Sequence, residues 1–280
     1  MKLITWNTQW CRGLDGVVDP QRIVRTARAM GDFDVLCLQE VASGFDAMPG
    51  APGHQPEQIA ACLPGFRVFF GASVNDVAAD GSVQRFGNLV ATRLPVAHVQ
   101  HHPLPWPADP AVASMPRMCT VVTLIAPGIG PVRVMTTHLE YRSAVQRLAQ
   151  THAVRNLQAE ACALAAAPPK ASADDPSPTR PRVHTPHAIL CGDFNSPPAS
   201  AEHVVIESGG PASLRDAWTL VHGKTPHAPT FALEDRTYES APVAFDFVFV
   251  SADLAPRVAQ VEVNQATRSS DHQPVLVSFR

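Results

Sequence analysis

The run Ile189-Leu190-Cys191-Gly192-Asp193-Phe194-Asn195 holds three apolar residues, then a glycine, an acid, a phenylalanine and an amide. Consecutive apolar residues with no polar alternate describe a strand covered on both faces. Gly192 lets the backbone turn, and Asp193 and Asn195 place two oxygen-bearing side chains on one side of an extended segment. Upstream the pattern recurs. Asp34-Val35-Leu36-Cys37-Leu38-Gln39-Glu40 is a near-continuous apolar run that delivers Glu40 at its C-terminal end, and Asn7 closes a first strand over 2–6. Ser270-Asp271-His272 stands just before the apolar strand 274–279. One strand ending in an acid is common; four polar strand mouths in one chain are harder to dismiss.

Two further residues read as lying inside strands. Phe245-Asp246-Phe247-Val248-Phe249-Val250 alternates so that Asp246 shares its face with two valines. A buried carboxylate costs several kcal/mol unless it is hydrogen-bonded or paired, and a histidine is its natural partner. His138 has the same oddity, sharing a face with Val132, Val134 and Thr136.

Further strands are expected at 67–70, 88–92, 96–100, 118–125, 132–137 and 258–263, each bounded by Gly, Pro, Asp or Asn. Helices are fewer. The segment 20–30 opens with Asp19 as N-cap and Pro20 at the first position. The segment 141–166 carries Val154, Leu157, Ala161 and Leu164 at helical spacing, and 57–62 and 200–208 are shorter candidates. Residues 100–117 hold five prolines and 165–187 hold six. Strands continue on both sides of each, so they read as loop insertions in a single domain over 1–280. Many strands with few helices in mixed order suggest two packed sheets with helices on their outer faces.

Composition sets the outer limits. The 280 residues carry 22 Lys and Arg against 25 Asp and Glu, a net charge of −3. With 45% hydrophobic and 17% charged residues the chain is too apolar for a disordered protein. A protein that binds polyanions by bulk positive charge is excluded, although a local patch or a metal can serve instead. No apolar stretch approaches the ~20 residues of a membrane helix, and residues 1–6 are too short and polar for a signal peptide. The six cysteines show no C-x-x-C pair, so neither a zinc site nor a disulfide framework is expected and reduced cytoplasm is the default location.

Trp6-Asn7, Leu38-Gln39-Glu40, Thr137-His138-Leu139, Gly192-Asp193-Phe194-Asn195, Phe245-Asp246-Phe247 and Ser270-Asp271-His272 occur in this order over nearly the whole chain. Together they resemble the motif set of the endonuclease/exonuclease/phosphatase superfamily, the metal-dependent phosphoesterases. The resemblance implies an α/β fold, a four-layer α-β-β-α sandwich of two mostly antiparallel mixed sheets, with the site at one rim. It implies a hydrolase that uses a metal-assisted water on a phosphoester, more often a diester, with nucleic acid, phospholipid and phosphorylated small molecules as competing substrates. Glu40 is then the principal metal ligand, supported by Asn7 and Asp271. Hard oxygen donors fit Mg²⁺, with Mn²⁺ as substitute and one or two ions.

Asp193 would accept a proton from the attacking water or orient it, and Asn195 would hold that water or a phosphate oxygen. Asp246 would orient His272, and His138 would bind a non-bridging oxygen or protonate the leaving group. Arg85 and Arg117 are candidate substrate contacts from rim loops. Members acting on abasic sites carry an Asp two residues after the motif Asn, where this chain has Gln9, and use a Tyr-bearing strand where it has His138. Both departures tilt toward the histidine-bearing branch of deoxyribonucleases, sphingomyelinases and phosphatases. A non-catalytic scaffold retaining the fold is the alternative of another class; loss of a carboxylate at the metal is the usual route to it, and none is lost here.

Overall fold

Alternation along the first strand sets the layers. The computed structural model describes residues 1–170, 172 and 174–280; Ala171 and Ala173, inside the expected loop 165–187, lie outside the described residues. In chain order the strands are β1 (Lys2–Asn7), β2 (Val35–Ser43), β3 (Arg67–Val77), β4 (Val83–Thr92), β5 (Val96–Pro103), β6 (Met118–Ala126), β7 (Gly130–His138), β8 (Ala188–Asp193), β9 (Leu214–Asp216), β10 (Asp246–Ser251), β11 (Val258–Val263) and β12 (Val275–Phe279). They form two six-stranded sheets, ordered β11-β12-β1-β2-β4-β3 and β5-β6-β7-β8-β10-β9. In each sheet one pair is parallel, β1 with β2 and β7 with β8, and the remaining pairs are antiparallel.

Leu3 of β1 and Val35 and Cys37 of β2 face Val134, Ile189, Cys191 and Val248 of the other sheet in the central core. The alternate residues Ile4, Trp6, Leu36 and Leu38 turn outward against Ile23, Val24 and Ala27 of helix α1 (Pro20–Met30) and Ile59 of α2 (Gln55–Cys62). On the opposite outer face, Val121, Met135, Leu190, Phe247 and Phe249 pack with Val154 of α3 (Ala144–Ala166) and Ile206 of α4 (Ala201–Glu207). The result is the expected four-layer α-β-β-α sandwich. Local signals define the helices as read: Asp19 accepts from the Arg22 amide at the start of α1, and Ser143 caps α3 through the Gln146 amide.

The sequence reading missed β9 and the short helix α5 (Ala217–His222) that follows it. Three residues and six residues are too few for either periodicity to show. The strand β5 runs on to Pro103, so the proline-rich connection begins at Leu104. Among the described residues no helix is long and apolar enough to cross a membrane.

Candidate active site

At one end of the sandwich the inward-facing rows of both sheets turn polar. Beyond Leu3 and Thr5, β1 ends at Asn7; beyond Val35 and Cys37, β2 places Gln39 inward; β7 ends in Thr136 and His138, β8 in Asp193, and β10 begins at Asp246. Gln39 ties the sheets together there, its Nε2 donating to Thr136 Oγ1 at 2.8 Å and Thr5 Oγ1 at 3.2 Å. His138 and Asp246 thus stand at strand ends, not in strand interiors as the alternation indicated.

Glu40 arrives by another device. By alternation it belongs on the outer face with Leu38, and β2 continues past it to Ser43 instead of ending there. The register against β4 slips between Leu38 and Val41, and Glu40 takes a φ of +58°. This bulge re-aims the side chain into the space between the sheets. Asn195 is also left-handed (φ +49°), so the Asp193–Asn195 segment is a turn, closed by the Asn195 amide on Asp193 Oδ1 at 2.9 Å, and not an extended stretch. Gln9, Trp10 and Cys11 are left-handed in succession. Non-glycine residues in this region cost on the order of 1–3 kcal/mol each and persist where packing over-determines them.

The side chains interlock. Asn7 Nδ2 donates to Glu40 Oε1 (3.1 Å) and Asp193 Oδ2 (2.9 Å). That Asp193 oxygen also lies 3.5 Å from His138 Nε2 and 3.6 Å from His272 Nε2, while His138 Nδ1 is 3.9 Å from Glu40 Oε1. His272 Nδ1 bonds Asp246 Oδ2 at 2.8 Å, and Thr230 Oγ1 donates to the same oxygen at 2.6 Å. The His272 ring stacks on Phe231 with centroids 4.4 Å apart. Asp271 Oδ2 accepts from Gln9 Nε2 at 2.9 Å, and Asn195 Nδ2 donates to Leu139 O at 2.8 Å.

Electrostatics follow from burying several acids together. Burial first, then the charge of Asp271, pushes the Glu40 carboxyl up to about 7. Burial lifts Asp193 to about 6 against the pull of His272, and Asp271 is raised for the same reason. Burial alone would lower His272, but Asp246, Asp193 and Asp271 overcome it and hold the imidazolium up to about 10. Burial, then Arg117 and His272, drive His138 well below the usual imidazole range.

Glu40, His138, Asp193, Asn195, Asp271 and His272 all line one open cleft of about 560 Å³, with Asn7 and Asp246 directly behind them. The profile of the Endonuclease/Exonuclease/phosphatase family matches residues 4–272. The chain belongs to that family. Like the members of the endonuclease/exonuclease/phosphatase family, it is a phosphoesterase. A family protein from Beutenbergia cavernae is 26% identical, with a TM-score of 0.73 over 100% of this chain and 71% of that one. The mannosyl-6-phosphatase of Bacteroides thetaiotaomicron is 16% identical, with a TM-score of 0.67 over 100% and 99%. A 3′ phosphatase from Neisseria, bound to a product DNA hairpin, is 20% identical, with a TM-score of 0.61 over 100% and 99%. The last two likenesses show the fold alone. No curated protein matches the chain significantly.

The donor set of this endonuclease/exonuclease/phosphatase chain fits a hard divalent cation. Glu40 and Asp271 are oxygen donors, each destabilised by burial and by neighbouring carboxylates, and among the described residues neither has a lysine or arginine partner. Ligand atoms of Asp193, Asp246 and His272 lie within 4.8 Å of one another, but His272 Nδ1 is already committed to Asp246. Within that trio the one hydrogen bond joins Asp246 to His272, whose Nε2 faces Asp193 Oδ2 at 3.6 Å.

Arg117, one of the two arginines singled out, lines the cleft; its Nε and Nη2 hold Glu140 Oε2 at 3.2 and 3.1 Å, and its buried Nη1 has no partner among the described residues. Arg85, on β4, does not line it. Sequence reasoning did not single out Thr230, Phe231 or Glu140. It noted Gln9 only as a departure from a family pattern. No spacing in the chain marks these residues, which reach the site from three separate segments, Thr230 and Phe231 side by side on one of them.

Proposed function

We propose that the protein hydrolyses phosphodiesters by direct attack of water, in the presence of Mg²⁺ or, as substitute, Mn²⁺. The observation that supports this most is the convergence on Asp193 Oδ2, which Asn7, His138 and His272 all face at 2.9 to 3.6 Å from separate strands and loops. Glu40 and Asp271, with Asn7 beside them, would hold the ion, which neutralises charge gathering on a non-bridging phosphate oxygen.

The chain's own groups do the remaining work. Asp193 accepts the proton of the attacking water while the bond from phosphorus to the leaving oxygen breaks and that oxygen departs to solvent, and Asn195, fixed by its turn, holds the water in line. His272, locked by Asp246 and Phe231, presents Nε2–H to a non-bridging oxygen as charge develops there. His138 donates to a second such oxygen, and the free Nη1 of Arg117 is a further donor on the same side. Arg85 has no part in this arrangement.

Hydrolysis of bis-(p-nitrophenyl) phosphate tests the proposal. Turnover with Mg²⁺ or Mn²⁺ that drops at least about a hundredfold in Glu40→Ala and in His272→Ala is expected, in line with removal of one stabilising group. Equal rates in all three proteins would return the chain to the scaffold reading.

A further inference from the structure

The phosphoester site opens onto a wall that no step above uses. Trp10, Phe45, Met48, Val74, Phe86 and Met115 line the same cleft. Phe86 and Met115 also border the small recess shared by Glu40, Arg117 and His138, so apolar surface begins directly beside the place of the phosphate. Phe45 and Phe86 meet edge to face, with centroids 6.4 Å apart. A volume of about 560 Å³ lies in the range of roughly 300–1,000 Å³ typical of small-molecule sites.

The charges point the same way. Two guanidinium groups line the cleft, Arg117 and Arg142, and the first is already bonded to Glu140. Against them stand the carboxylates of Glu40, Asp76, Glu140, Asp193 and Asp271. One phosphate can be neutralised at the ion and by His272. A second or third phosphate along the walls would meet acids and apolar rings, whereas a groove for a polynucleotide tracks the backbone with positive charge.

Resting on the hydrolase reading, we infer that the substrate carries a single phosphate esterified to an apolar group, alkyl or aryl, that lies against the Phe45–Phe86 wall. The test is kcat/KM with Mg²⁺ for the methyl, butyl and octyl esters of p-nitrophenyl phosphate, which share one leaving group, beside a single-stranded DNA oligonucleotide. A rise of about tenfold or more from methyl to butyl is expected, since the three added methylenes leave water for the apolar wall. Phe45→Ala flattens that rise and Phe45→Leu restores most of it, which a mere folding defect would not do.

A rate independent of chain length, or an oligonucleotide turned over faster than the octyl ester, would overturn the inference and leave the hydrolase standing. No turnover of any ester with either metal would remove both. Phosphatidylcholine vesicles locate the source: faster turnover there than of the octyl ester assigns a membrane lipid, the reverse a soluble ester, and both uphold the class.

Discussion

Asp246 never touches the cleft, yet the direction in which His272 faces depends on it. Its Oδ2 accepts from both Thr230 Oγ1 and His272 Nδ1, so this one oxygen fixes the ring orientation that leaves Nε2–H toward Asp193. An asparagine can set its one carbonyl oxygen where Oδ2 stands and its NH₂ where Oδ1 has no partner among the described residues, but it removes the negative charge that holds His272 as the imidazolium. Asp246→Asn should therefore leave substrate binding almost unchanged while kcat falls by up to about 10⁴, the loss seen for the same change where a buried acid orients a catalytic histidine. Steady-state kinetics on bis-(p-nitrophenyl) phosphate separate the two constants. A large rise in KM with kcat intact would assign Asp246 to binding instead of positioning.

At the scale of elements, what was legible and what was not divide along the period of the strand. A period of two places His138, Asp193 and Asp246 on the inward face with the valines, and the structure keeps them there. The same arithmetic puts Glu40 outward, and only a bulge with a left-handed residue brings it in, a conformation for which a glutamate gives no warning. Gln9 and Thr230 were beyond reach for a related reason: their partners, Asp271 and Asp246, lie 262 and 16 residues away in sequence, along loops with no period.

Gly192 was read as a turn residue, and the structure adds a closer reason. Its φ is +135°, and a Cβ there would stand 1.9 Å from the Thr137 carbonyl oxygen of the neighbouring parallel strand. Gly192→Ala forces β7 and β8 apart next to His138 and Asp193, with both strain and overpacking. A loss of about 4 kcal/mol or more is expected, in the exceptional range for one substitution. Urea unfolding checks it, and a loss below about 1 kcal/mol would show that the two strands have room to move.

Over the whole molecule, the apolar core between the sheets fixes the site by ending in it, and the outer layers answer for the second sheet's free edge. There Asp216 joins three elements. It closes β9, caps α5 through the Trp218 amide at 2.9 Å, and faces His203 of α4 at 3.5 Å and His227 of the following loop in a short contact. None of the three lines the cleft.

Burial would raise the Asp216 carboxyl, but the hydrogen bonds and charges of His203 and His227 outweigh it and hold it well below the ordinary range. A carboxylate lowered in the folded state stabilises the fold at any pH above its unfolded value of about 3.9. That contribution drains away as pH falls below this value toward the folded one. Asp216→Asn keeps the cap and the shape but removes the charge facing two imidazoles, the buried His203 and the half-buried His227. At pH 7 it should destabilise the fold by about 3 kcal/mol, as breaking a buried pair does. Below pH ~4 the wild type loses the same contribution, so the gap between the two proteins should narrow there. Urea unfolding of both at pH 7, 4 and 3 measures it. A gap that stays constant across that interval would mean that Asp216 acts through shape and hydrogen bonds alone.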